Sequence, residues 1–277
     1  MGEYPLKKLP VSVLIPTYNR PHTLAEALES ILRQTIHPEE IIVVNDAGHS
    51  VNEVAVLYSE LNIKVVNMPV NCGHVAVRNQ GLNHVTQPWI MLLDDDDLIL
   101  PDHLETLWSF TEEADFIYAD AEVFDYRMNG LTRIPIARKL FAYSFDQALL
   151  RKFNTIISSG ALYRRSLHDK LGRFDEGVKN YWDWDWCLRV AAVVRIKRVA
   201  RATTLYAYSP NGDNVSANLD EKRNRIFSTF CAKHQLGELP TMNFFLMLEQ
   251  PELKAYESLT EIKWDGQPVY TRFHSVS

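Results

Sequence analysis

In its first half the chain alternates short apolar runs with stretches of helical spacing, a pattern that argues for a parallel sheet covered by helices. The run VSVLIP from Val11 is rich in β-branched residues and closed by Pro16, so it reads as a buried strand. After Pro21 the apolar residues Leu24, Ala27, Leu28, Ile31 and Leu32 recur at helical spacing. EIIVVND from Glu40 is the second expected strand, followed by a helix over 51–61, a strand at IKVVNM and a helix over 74–85. WIMLLDDDD then supplies a strand from Trp89 that runs directly into Asp94, Asp95, Asp96 and Asp97. Acids at the carboxyl end of a strand stand where open α/β sheets bind their ligands.

Beyond Asp102 a helix carrying Leu104, Leu107 and Trp108 precedes a strand at DFIYAD. From about Glu122 the pattern turns mixed, with strand-like pieces at VFDY, TIISSGALY and TTLYAYS and a helix over 184–194. Helical spacing returns at 223–234 and 242–248, and the weakly patterned tail to Ser277 is expected to be partly disordered.

Composition narrows the function classes. A net charge of -6 is no footprint for nucleic acid, and no stretch reaches the roughly 20 apolar residues of a membrane span. Three scattered cysteines, Cys72, Cys187 and Cys231, suit neither a disulfide framework nor a zinc site. With no signal-peptide pattern at the start, the expected location is the cytoplasm, with peripheral contact at the inner membrane face left open.

Four consecutive carboxylates repel one another and raise each other's pKa unless a positive charge offsets them. A hard divalent cation, Mn²⁺ or Mg²⁺, takes oxygen ligands and is commonly shared between one or two carboxylates and substrate phosphates. The plainer alternative is a solvated acidic turn ahead of the helix near Pro101.

VSVLIPTYNRPHTLAEALESILRQT, EIIVVNDAG, NCGHVAVRNQGL and WIMLLDDDDLILPDHLE, in that order, resemble the family 2 inverting glycosyltransferases of the GT-A fold over about residues 11–200. The resemblance implies a Rossmann-like, mostly parallel sheet flanked by helices, a mixed acceptor-side half and a helical C-terminal extension. The implied organisation is a GT-A domain over 1–220, with a nucleotide-sugar half at 1–120 and an acceptor half at 121–220, then an extension and tail over 221–277. It also implies a nucleotide-sugar donor, UDP-linked, and an acceptor hydroxyl on a polysaccharide, glycan or glycolipid. Pro16, Thr17, Tyr18 and Asn19 match the segment lying against the nucleotide, and Asp46 matches the acid that accepts from the uracil ring. Asn45 replaces the first acid of that pair. Arg78 would face either the diphosphate or the acid cluster. Asp96 aligns with the metal ligand, Asp94 or Asp95 with the residue reaching the ribose, and Asp97 is the member most easily spared.

An inverting transferase also needs a base beside the acceptor hydroxyl, on the face away from the leaving diphosphate. In NYWDWDWCLRVA the family's base position falls on Asp183, six residues before Arg189. Asp185 is placed for an i,i+4 pair with Arg189. Residues two apart on a helix point about 200° apart, so the two acids cannot share one site. Trp182 replaces the family's Glu and is read as a platform for an acceptor sugar, while Trp184, Leu188 and Ala191 face the core. SPNGDNVSANLDEKRNR resembles the loop that closes over the donor, with Gly212 as hinge, Lys222, Arg223 and Arg225 near the diphosphate, and Asn211 or Asn214 in place of a His seen in relatives. Two other readings compete: sugar-nucleotide-forming nucleotidyl transfer, which would want a Gly-rich loop where PTYNRPH stands, and an inactive nucleotide- or glycan-binding module.

Overall fold

The computed structural model describes residues 7–208 and 220–275, and all ten of its strands belong to one mixed sheet. At its centre lies β1 (Lys8–Thr17), parallel to β2 (His37–Asn45) on one side and to β4 (Trp89–Leu92) on the other; β3 (Ile63–Asn67) forms the edge beyond β2. The connections are α1 (Pro21–Leu32), α2 (Asn52–Leu57) and α3 (His74–Leu82). Because α3 returns the chain across β1 to β4, the strand order reverses beside β1, and a crevice opens there at the carboxyl ends.

The burial of β1 explains its continuous apolar run. Successive side chains point to opposite faces, so Val13 and Ile15 enter a core with Leu24, Leu28 and Ile31 of α1, while Leu14 enters a second core with Val77 of α3. Both faces are covered, and no polar alternation is required.

The mixed half departs from the expected outline. DFIYAD and VFDY form one strand, β6 (Phe116–Asn129), which runs through the expected 120/121 boundary. It turns into β7 (Thr132–Phe141), a hairpin partner that the sequence pattern does not announce. After α4 (His103–Trp108) and α5 (Gln147–Leu150), only the last two residues of TIISSGALY lie in a strand, β8 (Leu162–Arg164), which pairs antiparallel with β4 and β6. Residues 155–160 are loop instead, because Gly160, at φ +83°, turns the chain against Leu92 and His103. β9 (Ile196–Ala207) lies parallel to β6 and pairs at its far end with the short β5 (Leu98–Ile99), while β10 (Glu261–Ile262) adds the last edge.

Helix α7 (Trp182–Ala191) follows α6 (Leu167–Leu171) and is apolar nearly all round because it is covered on two sides. Trp186 stacks on His168 at 4.3 Å, and Trp184 packs on Phe230 of α8 (Glu221–His234) at 4.8 Å. Between them the fully buried Asp185 meets Arg189 at 2.7 Å, Lys233 at 2.5 Å and His234 at 2.8 Å. The short α9 (Phe244–Leu248) and α10 (Pro251–Lys254) close a smaller core with Phe141, Phe153 and Tyr208. The expected disorder of the tail is not seen in its described part. Arg272 binds Glu60 at 2.7 Å, and Phe273 meets His22 edge-on at 4.8 Å.

Burial alone would raise the Asp185 pKa, but hydrogen bonds from His234, Lys233 and Arg189 pull it down to about 2. A depressed carboxylate pKa adds stability above the unfolded value and loses it as pH falls through the folded one. Asp185→Asn is therefore expected to cost about 2 kcal/mol near pH 7. In urea unfolding, its deficit against wild type should shrink as pH drops from about 4 towards 2.

Candidate active site

A cleft of about 460 Å³ opens at the carboxyl ends of β1, β2 and β4 and extends to the start of α7 and to α9. Pro16, Thr17, Tyr18, Asp46, Arg78, Asp94, Asp95 and Asp96 line its sheet side, and Trp182, Asp183 and Arg223 line the other.

Three acids of the loop after β4 have their own tethers, and Asp95 shares Arg20 with Asp96. Leu93 donates its amide to Leu14 O at 3.1 Å, which continues the β1 pairing, and the Asp94 amide reaches Ser159 Oγ at 3.1 Å. The Asp94 carboxylate pairs with the buried Arg78 guanidinium, which lies 4.1 Å over the Trp182 ring. Asp96 receives Arg20 Nη1 on Oδ2 at 2.7 Å and Arg133 Nη1 on its carbonyl at 2.7 Å. Arg133, on β7, is itself buried against Glu26 of α1 at 2.5 Å. Asp97 closes a turn onto Asp94 O, and its Oδ1 accepts the Ala207 amide at 3.0 Å.

These tethers do not cancel the cost of crowding. Burial, then the charge of Asp96, raises the Asp95 pKa to about 7. Burial also raises Asp96, against the pull of Arg20, and lifts Asp97 well above the carboxylate range. Carboxylate oxygens of Asp94, Asp96 and Asp97 lie within 4.8 Å of one another, and Asp97 Oδ2 is buried without a hydrogen-bond partner. Three converging carboxylate oxygens, two of them on groups already paired with Arg78 and Arg20, are hard donors of the kind a Mn²⁺ or Mg²⁺ ion takes. Asp97, rated the most dispensable in sequence, is part of this convergence because the end of β9 fixes it.

On the opposite wall Asp183 stands in the first turn of α7. Its Oδ2 accepts Asn154 Nδ2 at 2.9 Å and its Oδ1 the Trp184 amide at 2.8 Å. Burial raises its pKa, only partly offset by the Trp184 amide. A carboxylate so placed is oriented, poorly solvated and more basic than a surface Asp, as a general base requires.

The remaining expected residues divide. Asp46 reaches the cleft, but its carboxylate already accepts the amides of Cys72 at 2.7 Å and Gly73 at 2.8 Å, which holds the β3–α3 loop. Tyr18 is half exposed at the rim. Asn19, at φ 55°, lies outside the lining and instead accepts the His49 amide at 2.9 Å, joining the loops after β1 and β2. Trp182 is not an open platform, since it is buried and the Arg78 guanidinium covers a ring face. Arg223 is buried with Nε on the Tyr181 hydroxyl at 3.0 Å, whereas Lys222 is exposed on α8 and outside the lining. Gly212, Asn211 and Asn214 lie outside the described residues.

Sequence reasoning missed Arg20, Arg133, Ser159 and Asn154. Arg20 was the legible one, because it comes just after the strand that neighbours the acid-bearing strand. Nothing local marks Asn154.

The family described as Glycosyl transferase family 2 matches residues 12–172, more than half of the chain. The chain belongs to glycosyltransferase family 2. It is 51% identical over 264 residues to the uncharacterized glycosyltransferase YwdF of Bacillus subtilis, covering 95% of this chain and 98% of that one. It is 29% identical to the glycosyltransferase GlyA of Streptococcus pneumoniae over 60% of this chain but only 26% of that longer protein. Among solved structures, S. aureus TarS 1–349 in complex with UDP-GlcNAc superposes with a TM-score of 0.65 at 20% identity, covering 81% of this chain and 66% of that chain. The UDP complex of the same protein gives 0.60 at 22% identity, over 82% and 72% of the two chains. The GT-A arrangement of this family 2 member thus rests on both its sheet order and these superpositions.

Removing one partner of a buried ion pair leaves the other uncompensated, at about 3–5 kcal/mol. Arg133→Ala is expected to destabilise the protein by that amount in urea unfolding, and the double replacement Glu26→Leu with Arg133→Met to recover much of the loss.

Proposed function

We propose that this chain transfers a sugar from a nucleoside diphosphate donor, UDP-linked, to an acceptor hydroxyl with inversion at the anomeric carbon. The observation that carries the reading is the facing of two unlike carboxylate sites across one cleft, the crowded Asp94–Asp97 loop on the sheet side and the solitary Asp183 on the other. The UDP and UDP-GlcNAc bound in the TarS structures support a uridine nucleotide for a chain of the same fold.

In this reading the nucleotide lies along Pro16–Tyr18 and Asp46, beside the ends of β1 and β2. Asp96, with Asp94 and Asp97, would hold Mn²⁺ or Mg²⁺, whose charge balances the diphosphate as it departs. Arg78 and Arg20 keep the loop's carboxylates apart and oriented. Asp183 takes the proton of the acceptor hydroxyl as its oxygen bonds to the anomeric carbon and the bond to the diphosphate breaks. Asn154 holds the accepting oxygen in place. Attack from the wall opposite the leaving group inverts the centre. The acceptor is a hydroxyl-bearing carbohydrate, and cytoplasmic donor supply suits the reading.

Asp183→Asn is expected to lower transfer by about 10²–10⁴-fold while UDP affinity stays unchanged; a folded variant working at the wild-type rate would remove Asp183 from the base role. Since the base must be ionised, wild-type turnover should fall as pH drops through the raised Asp183 pKa. Asp96→Ala should abolish the Mn²⁺-dependent part of UDP binding in calorimetry, and unchanged metal dependence would refute the metal assignment.

A further inference from the structure

The two ends of the cleft differ in chemistry. At the sheet end the wall is carboxylates and guanidinium groups. Past Asp183 it becomes largely apolar, with Phe153 buried and Ile157, Met242, Phe244 and Met247 half-buried along the lining, beside Asn243 and the exposed Lys152. Phe244 stacks on the buried Phe141 at 5.6 Å and packs on Tyr206 at 5.5 Å, so the wall is firmly backed. Two thioethers in one wall give a surface that adapts to an irregular apolar partner. The wall is tied to the proposed base through the chain itself, because Phe153 precedes Asn154, which donates to Asp183. On the outer side of α9, Phe245 and Leu246 are 39% and 48% exposed, so apolar surface continues from the cleft to the exterior. Neither a nucleotide diphosphate nor the proton transfer at Asp183 calls for such a wall.

We propose that this compartment receives the alkyl chain of an amphiphilic acceptor, a glycoside whose sugar hydroxyl reaches Asp183 while its chain lies along Phe153, Ile157, Met242, Phe244 and Met247. The inference rests on the assignment of Asp183 as base and names the substrate class that the acceptor end selects. The C-terminal segment, through Met242 and α9, is then the specificity element for the acceptor.

The test is calorimetric binding of methyl, hexyl and octyl glucoside, each below its micelle concentration, to the full chain with UDP and Mn²⁺ present. Burying successive methylenes should tighten binding by about tenfold or more from methyl to octyl. Met247→Asp should remove that dependence and leave UDP affinity unchanged; if this variant fails to fold, Met242→Asp, at a half-buried position, is measured in its place. Equal affinity across the series in wild type, which is also the result expected if the wall takes only the apolar face of a sugar ring, overturns the proposal. So does a chain-length dependence that survives in the variant. The UDP titration in the same samples reports separately on the donor reading, which fails if UDP does not bind.

Discussion

Four carboxylates at the end of one strand are costly, and much of the surrounding structure exists to hold them. Arg78 comes from α3, Arg20 from the β1–α1 loop, Arg133 from β7 and the Ala207 amide from the end of β9. Four separate elements, three of them distant in sequence, converge on one loop. The charge is spread over these partners, while burial, more than the crowding of like charges, holds the pKa values of Asp95, Asp96 and Asp97 up. The tethers still leave oxygen atoms of Asp94, Asp96 and Asp97 close together, the arrangement on which the proposed cation site depends.

The opposite wall is held by packing rather than charge. Helix α7 is wedged between His168 and Phe174 on one side and Tyr181, Phe227 and Phe230 on the other, with Asp185 pinned to α8. The two acids near its start therefore do opposite things. Asp185 is drowned in cations and kept ionised far below neutrality, while Asp183 has an amide, an asparagine and a raised pKa. One helix turns a fully paired carboxylate towards α8 and a second carboxylate into the cleft.

The parallel half was legible because strands covered on both faces are nearly all apolar, and VSVLIP, EIIVV and WIML are so apart from Ser12 and Glu40, which hydrogen-bond to each other. The hairpin partner β7 was not, since TRIPIARKLF buries Arg133 while leaving Ile136 exposed, so its apolar and polar residues carry no alternation that marks a strand. Within the site, the acids could be read from sequence but not ranked. What separates Asp97 from Asp96 is a hydrogen bond to a residue 110 positions away. The apolar residues after WDWDW mark that run as helical, yet they give no sign that Trp186 is as buried as Trp184, because that depends on His168 and Phe174 arriving from another segment. Asn154 is legible only through its partner.

Arg78 touches both walls. Its guanidinium binds Asp94 at one end of the cleft and rests on the ring of Trp182, the residue just before Asp183, at the other. It therefore acts as a spacer as well as a counter-ion. A planar, rigid group of fixed length bridges the Asp94 loop and the ring before Asp183, and a lysine, with a point charge on a flexible stem, would keep the sign while losing the gauge. The spacing between the acid-bearing loop and the start of α7 thus runs through a single side chain.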